Sequence, residues 1–534
     1  MSWLAVAGLV GMIVGQAQAG RLPQGVVVDD PPDRTLTISE EVTVHQWWII
    51  RYDDGRAMCE IFVDHDGNPS DKEIFESCGQ ELFLRWSLSK VCTTDVDANC
   101  ERMYIQWMGT DTIEKQIEIT YPLPKVGVSL TGCAPGLAVN SCLDQPTMTF
   151  RAEELFPGEE ISKITVEWGM KTVTCDGGVC TVEMPTTGEE GVEIGFWAVS
   201  TLGDTSDVFL ARVRAVKVDD ETTVNGVSWH ADLLSKQRSD GPPGGCSLIW
   251  DTLPPLDGTP DWLVTPGNQE VLSSDVPFTL LAGRLIDQGI VDASACDGGG
   301  LLSSQVANNC GLAMARNAVS DWQNSFDSMI FNAALRTGVP AQLMKNLFAH
   351  ESQFWPAGFV GDNDVIEVGL GQLTENGADT VLLWNPAFYT QFCPQVLDKN
   401  TCDQGYGNLA SGEKNLLTGA LLTKSNAFCE TCAYQVSLDK AGFSVDVFAE
   451  ALLANCEQTS RVVSYATNKS PGDIMSYEDL WRITLANYNG GPGCLNAALK
   501  YADENDIALT WDNLKQVFPS YCQGAVKYVE TLTN

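Results

Sequence analysis

The apolar residues of this chain change their spacing partway along, and that change limits the fold more than any other feature of the sequence. Up to about residue 218, short runs rich in Val, Ile, Thr and Trp alternate with turn clusters. Leu36 to Ile38 and Val42 to Ile50 are such runs, and Asp53-Asp54-Gly55 and Asp66-Gly67-Asn68-Pro69 are such turns. Strands are expected there. After about residue 312 the spacing becomes helical, with Val319, Trp322, Phe326, Met329, Ile330 and Ala333 on one face. A chain of 534 residues exceeds what one core usually organises. The expectation is a multidomain protein with β-sandwich-like modules first and a mainly α domain last.

Punctuation within the chain places the boundaries. Residues 20–121 read as a β-rich domain, closed by Pro122 and Pro124. In residues 122–218, Ile164 to Trp168, Val179 to Met184 and Val192 to Val199 read as strands joined by Gly-rich turns. In size and strand rhythm this segment resembles an immunoglobulin-type sandwich. Residues 219–311 turn to Pro, Gly, Ser and Asp and read as a linker with local structure, partly held by Cys246, Cys296 and Cys310. In the helical part, 312–534, Gly338 sits where a helix C-cap belongs. Pro340 can start the next helix, which carries Leu343, Met344, Leu347 and Phe348. Further helical patterns cover Lys414 to Lys424, Val445 to Tyr465, Tyr477 to Ala486 and Leu495 to Ala502.

Residues 1–19 read as a signal peptide, with an apolar run from Trp3 to Val14 and the small-residue pattern Ala17-Gln18-Ala19 before Gly20. Export is therefore expected, to the outside, a periplasm or the cell surface, with no integral membrane segment after cleavage. Eighteen cysteines in an exported chain argue for disulfides. Near neighbours offer the pairs Cys92/Cys100, Cys133/Cys142, Cys175/Cys180, Cys296/Cys310 and Cys393/Cys402, and Cys429-x-x-Cys432 reads as structural. The formal net charge of -38 repels phosphate backbones, so nucleic acid is not an expected partner. No metal or cofactor is expected. Asp64-x-Asp66-x-Asn68-x-Ser70 starts like a calcium loop, but Pro69 stands where Gly is needed and Phe75 where a bidentate Glu belongs.

The chemistry concentrates on one carboxyl. On a helix, Glu351 falls on the same side as Leu347 and Phe348, and desolvation by such neighbours raises the pKa of an acid that must protonate near neutral pH. In order come Glu351-Ser352-Gln353-Phe354, Gly369-Leu370-Gly371-Gln372 and Asn487-Tyr488-Asn489-Gly490-Gly491-Pro492-Gly493. Asn415-Leu416-Leu417-x-Gly419 and Tyr528-Val529 accompany them. In these motifs the last third of the chain resembles the soluble lytic transglycosylase domain.

That resemblance implies a lysozyme-like fold with peptidoglycan glycan strands as the partner. It implies that Glu351 acts as both acid and base and that Tyr488 hydrogen-bonds or orients it. Ser352, Leu370, Gly371, Gln372 and Asn489 would contact the sugar. Two departures stand out: Gly371 replaces the Met common in the Gly-Leu-Met-Gln turn, and Asn363-Asp364-Val365-Ile366-Glu367 replaces the usual Ser-x-x-Gly-Ala. Glu367 thereby adds a second carboxylate near the groove, read either as a solvated loop charge or as a helper that positions water. The alternatives are a muramidase that hydrolyses the same bond, or a wall-binding protein without activity.

Overall fold

The computed structural model describes residues 34–89, 102–131, 133, 141–219, 226–240, 244–274, 276–302, 306–356, 358–360 and 366–533. The expected signal peptide and the Cys92/Cys100 pair lie outside the described residues. A β region precedes a helical region, and the chain divides into two compact units. One comprises residues 1–124, 153–161 and 199–206, and the other the remainder.

The first unit contains three antiparallel strands, β1 (Thr35–Arg51), β2 (Ala57–Val63) and β3 (Met103–Thr120), in the order β2-β1-β3. β1 and β3 pair along their whole length, from Thr35↔Thr120 to Arg51↔Met103, with a bulge between Gln46 and Trp47. Ile49, Ile61 and Val63 form a small core with Ile74 and Trp86 of a helix, α1 (Asp71–Ser89). The Cys59–Cys78 disulfide fastens that helix to β2. A helix inside a segment expected to be β-rich has a local cause. The Ser70 hydroxyl accepts from the Glu73 N–H at 3.3 Å, and the Glu73 carboxylate accepts from the Ser70 N–H at 2.7 Å. This reciprocal capping starts a helix that the strand count overlooked.

The second unit begins with two sheets. A three-stranded one has the order β4-β6-β9, from Lys125–Thr131, Thr147–Glu153 and Val179–Glu183. The other has six strands in the order β5-β12-β11-β10-β7-β8. These are β5 (Ser141–Cys142), β7 (Ile161–Trp168), β8 (Lys171–Asp176), β10 (Val192–Ser200), β11 (Phe209–Asp219) and β12 (Val227–Leu234). Phe150 of β6 packs on Phe196 of β10 with ring centroids 4.9 Å apart, so the sheets face each other across an apolar layer.

Among the described residues, fourteen further helices follow in this unit. They are α2 (Gly245–Trp250), α3 (Thr279–Asp287), α4 (Asn309–Asn324), α5 (Asp327–Thr337), α6 (Ala341–Glu351), α7 (Glu375–Trp384) and α8 (Pro386–Phe392). Then come α9 (Lys399–Cys402), α10 (Ser411–Ser425), α11 (Leu438–Thr467), α12 (Pro471–Ile474), α13 (Tyr477–Glu504), α14 (Trp511–Val517) and α15 (Gln523–Thr533). A short hairpin of β13 (Phe359–Val360) and β14 (Ile366–Glu367) follows α6. Gly338 closes α5 in the left-handed conformation and Pro340 precedes α6, as their positions suggest.

The stretch expected as a linker adds to the helical core. Trp250, Trp262, Phe278, Leu281 and Leu285 are buried in one cluster with residues of α4, α5, α6, α11 and α13. The Trp250 indole donates to the Cys456 carbonyl at 3.2 Å and meets Trp481 edge-on at 5.2 Å. Cys246–Cys456 ties α2 to α11 covalently. The neighbour pairs Cys133–Cys142, Cys175–Cys180, Cys296–Cys310 and Cys393–Cys402 are all bonded, as are Cys429–Cys432 and Cys494–Cys522. Lys345 of α6 is fully buried, and its ammonium donates to Asp327 at 2.5 Å and to the Gln323 carbonyl at 3.2 Å. Pairing makes that buried charge tolerable and fixes α6 against α5.

Candidate active site

Glu351 ends α6, where the helix has just presented Leu343, Met344, Leu347 and Phe348 to the core. The following turn is tight: Ser352 caps the helix, and Gln353 and Phe354 take positive φ. The helix end thus opens into a cavity of about 510 Å³. Its wall combines the end of β14, the turn and first half of α7, and the facing stretches of α11 and α13. Glu351, Glu367, Gln372, Tyr488 and Asn489 all line it.

Burial pushes the Glu351 carboxyl up to about 7, and the charge of Glu367 adds to the rise, while a hydrogen bond from the Tyr528 phenol opposes it. Tyr528 lies on α15 and is buried, and its own ionisation is pushed well above the ordinary range, first by burial and then by Glu351. The phenol therefore stays a donor to Glu351. The His350 ring meets Tyr528 edge-on at 5.2 Å.

Tyr488, expected to hydrogen-bond or orient Glu351, makes its hydrogen bond elsewhere. Its hydroxyl donates to the Gly371 carbonyl at 2.7 Å, and its ring stacks on that of Tyr528 at 6.3 Å. The group that touches Glu351 is Tyr528, which the sequence offered only as the tail of a motif. Tyr488 acts one step removed, holding the Gly371 turn and backing the Tyr528 ring.

The turn is pinned from several sides. Val368 and Leu373 exchange backbone hydrogen bonds at 3.1 and 2.8 Å, and the Leu370 N–H donates to the Ser444 hydroxyl at 3.1 Å. Gly369 has φ 73°, and a Cβ there would lie 2.0 Å from the Ser444 oxygen. A Cβ on Gly371 would stand 1.8 Å from the Phe448 ring. That ring also packs on Phe348 at 4.9 Å and on Tyr488 at 5.6 Å. The absence of a side chain at position 371 is thus matched by an aromatic from α11.

Three expected sugar contacts are not on the cavity wall. Leu370 is fully buried in the helical core, and Ser352 is buried with its hydroxyl donating to the Phe348 carbonyl at 3.2 Å. Gly371 is not on the wall either, its carbonyl being taken by Tyr488. Residues not anticipated take their place. Asn455 and Gln458 of α11 line the wall and accept from the Asn487 amide at 3.1 and 2.8 Å. Asn376 and Thr380 come from α7. The Gly490-Gly491-Pro492 stretch is a kink within α13, where Gly491 has φ 78° and ψ 166°. Among the described residues no group of three or more His, Cys, Asp or Glu side chains is placed to hold a metal.

Chemically, the site offers one carboxyl that is protonated in a large share of molecules near neutral pH and can give up and regain a proton. A second carboxylate and a wall of amides surround it. Tyr528→Phe should lower turnover about tenfold, because the acid loses its positioning partner. The lost bond stabilised the ionised form, so the Glu351 pKa should rise and the alkaline limb of the rate profile should move to higher pH. An unmoved limb in a pH–rate series would show that Tyr528 does not act through Glu351.

Comparison of the chain with known protein families, curated proteins and solved structures finds no match.

Proposed function

We propose that the helical region is a peptidoglycan lytic transglycosylase with a lysozyme-like arrangement of the groove, and that Glu351 is its single acid and base. The observation that supports this most is Glu351 itself, raised to about 7 by burial on the wall of an open cavity and held by Tyr528. Protonated Glu351 gives its proton to the oxygen joining N-acetylmuramic acid to N-acetylglucosamine, and the C1–O bond breaks. The muramyl C6 hydroxyl then adds to C1 and returns its proton to Glu351. A 1,6-anhydro sugar forms, no water is consumed, and the acid is restored. Gln372 and Asn489 contact the sugars from the cavity wall, and Tyr488 holds the turn beneath them.

One observation favours a second reading, a muramidase. Glu367 lines the same cavity and its charge is felt by Glu351, and a pair of carboxyls is what hydrolysis of this bond uses. Mass spectrometry of fragments released from sacculi separates the two. Anhydromuramyl ends support the transglycosylase, reducing ends the muramidase, and no fragments a binding role. Glu367→Gln should leave the anhydro product unchanged; a changed ratio of anhydro to reducing ends, or loss of the anhydro product, would assign Glu367 to the reaction.

The β modules in front would set reach or attachment at the wall, and the two facing sheets would be an immunoglobulin-type sandwich. Export fits the disulfides, and among the described residues no helix is long and apolar enough to cross a membrane.

A further inference from the structure

The cavity wall is rich in amides and poor in cations. Gln372, Asn376, Asn455, Gln458, Asn487 and Asn489 all line it, whereas none of the described lining residues is Lys or Arg. The charged groups on the wall are Glu351 and Glu367. The scarcity of cations extends along every segment that builds the wall. No Lys or Arg stands between Lys345 and Lys399, between Lys440 and Arg461, or between Arg482 and Lys500. Arg461 is well exposed and paired with Glu457. Asn487 spends its amide N–H groups on Asn455 and Gln458, which leaves its buried Oδ1 as an acceptor with no donor among the described residues.

Amides pair well with hydroxyl and acetamido groups, which donate and accept. An anion in the same place would find no Lys or Arg among the described lining residues and two acidic neighbours, in a protein of net charge -38. The muramyl unit carries such a group on C3 of the same ring whose C1–O bond is cut. Its lactyl carboxyl is locked in an amide when the stem peptide is attached and is a free carboxylate once the peptide has been removed.

We infer that the cavity accepts muramyl units whose lactyl carboxyl is amide-linked and turns away units in which it is free, a preference that rests on the glycan-cleaving reading above. The protein would then work on peptide-bearing strands and stop at stretches from which an amidase has stripped the peptides. Its place is before that amidase, not after it.

The test compares three substrates at equal sugar concentration: peptide-bearing sacculi, amidase-stripped strands, and stripped strands whose lactyl carboxyls have been coupled to methylamine. The expected result is that kcat/KM on stripped strands is at least about tenfold below that on peptide-bearing sacculi. The methylamide should recover most of the loss, although it restores no peptide. Raising the salt should narrow the gap on untreated stripped strands. Equal rates on all three, or a gap that neither methylamide nor salt moves, would overturn the inference and leave the cleavage reading standing. Release of nothing from any of the three would overturn the cleavage reading itself.

Discussion

Glu351→Gln should abolish turnover, lowering kcat by about a thousandfold or more, while leaving the cavity able to bind glycan. Gln keeps the shape of the side chain and can still accept from Tyr528, but it has no proton to give. The same substitution carries a second signature, in stability. The carboxyl ionises near its ordinary 4.5 in the unfolded chain and at about 7 in the folded one. Between those values the folded state binds more protons, so its stability falls as pH rises through that window. Gln removes the cost. The variant should therefore gain melting temperature relative to the parent at pH 8 and gain little at pH 4, as calorimetry at the two pH values would reveal. A variant that is inactive yet equally displaced from the parent at both would point to a packing defect, not to a lost acid.

Gly371→Met should be the most damaging change outside the acid. The substitution restores the residue common in the family that the motifs resemble, but it drives a Cβ to 1.8 Å from the Phe448 ring, with a longer side chain behind it. Overpacking of this kind costs about 3 kcal/mol, and here the backbone cannot retreat because the Gly371 carbonyl is held by Tyr488. Activity should fall at least about a hundredfold, since the turn, Tyr488 and Tyr528 form one packed chain leading to Glu351. Phe448→Ala alone should lose stability by leaving a hole. The double variant Gly371→Met, Phe448→Ala should be more stable than the sum of the two losses. Urea midpoints of the four proteins form a cycle that measures this coupling. Additive losses would mean that the two residues do not share one space.

That pair also marks where reading the sequence stops. Glu351 was legible because its signal is local: a carboxyl three and four positions after Phe348 and Leu347 on a helix must share their side. Gly371 looked like a defect in a motif, because its compensating residue, Phe448, lies on another helix. Tyr528 is separated from Glu351 by 177 positions and carried no local sign of its role. Leu370 and Ser352 were assigned to the sugar by their place in a motif, yet in a tight turn neighbouring side chains point to opposite sides, and both of these point inward. Core residues between 219 and 311 were hidden for a different reason. Trp250, Trp262 and Phe278 sit on or beside elements too short to establish a period, among prolines and glycines that read as loop. Long elements fared better: the strand Val192–Ser200 and the helix Leu438–Thr467 repeat their pattern often enough to be read.

The Cys246–Cys456 bond bears on how the molecule can be made. Seven of the eight bonded pairs among the described residues are separated by 28 positions or fewer and can close as soon as their stretch of chain emerges. Cys246 must wait for 210 more residues. In a chain threaded through a membrane from its amino end, it arrives in an oxidising compartment with Cys296 and Cys310 as its nearest later partners. An oxidant that joins cysteines in order of arrival would pair it wrongly. Closing so large a loop removes about 5 kcal/mol of freedom from the unfolded chain, so the correct bond is strongly favoured once α11 is out, but reaching it requires thiol exchange. Production of this protein should therefore depend on a disulfide isomerase more than on an oxidant.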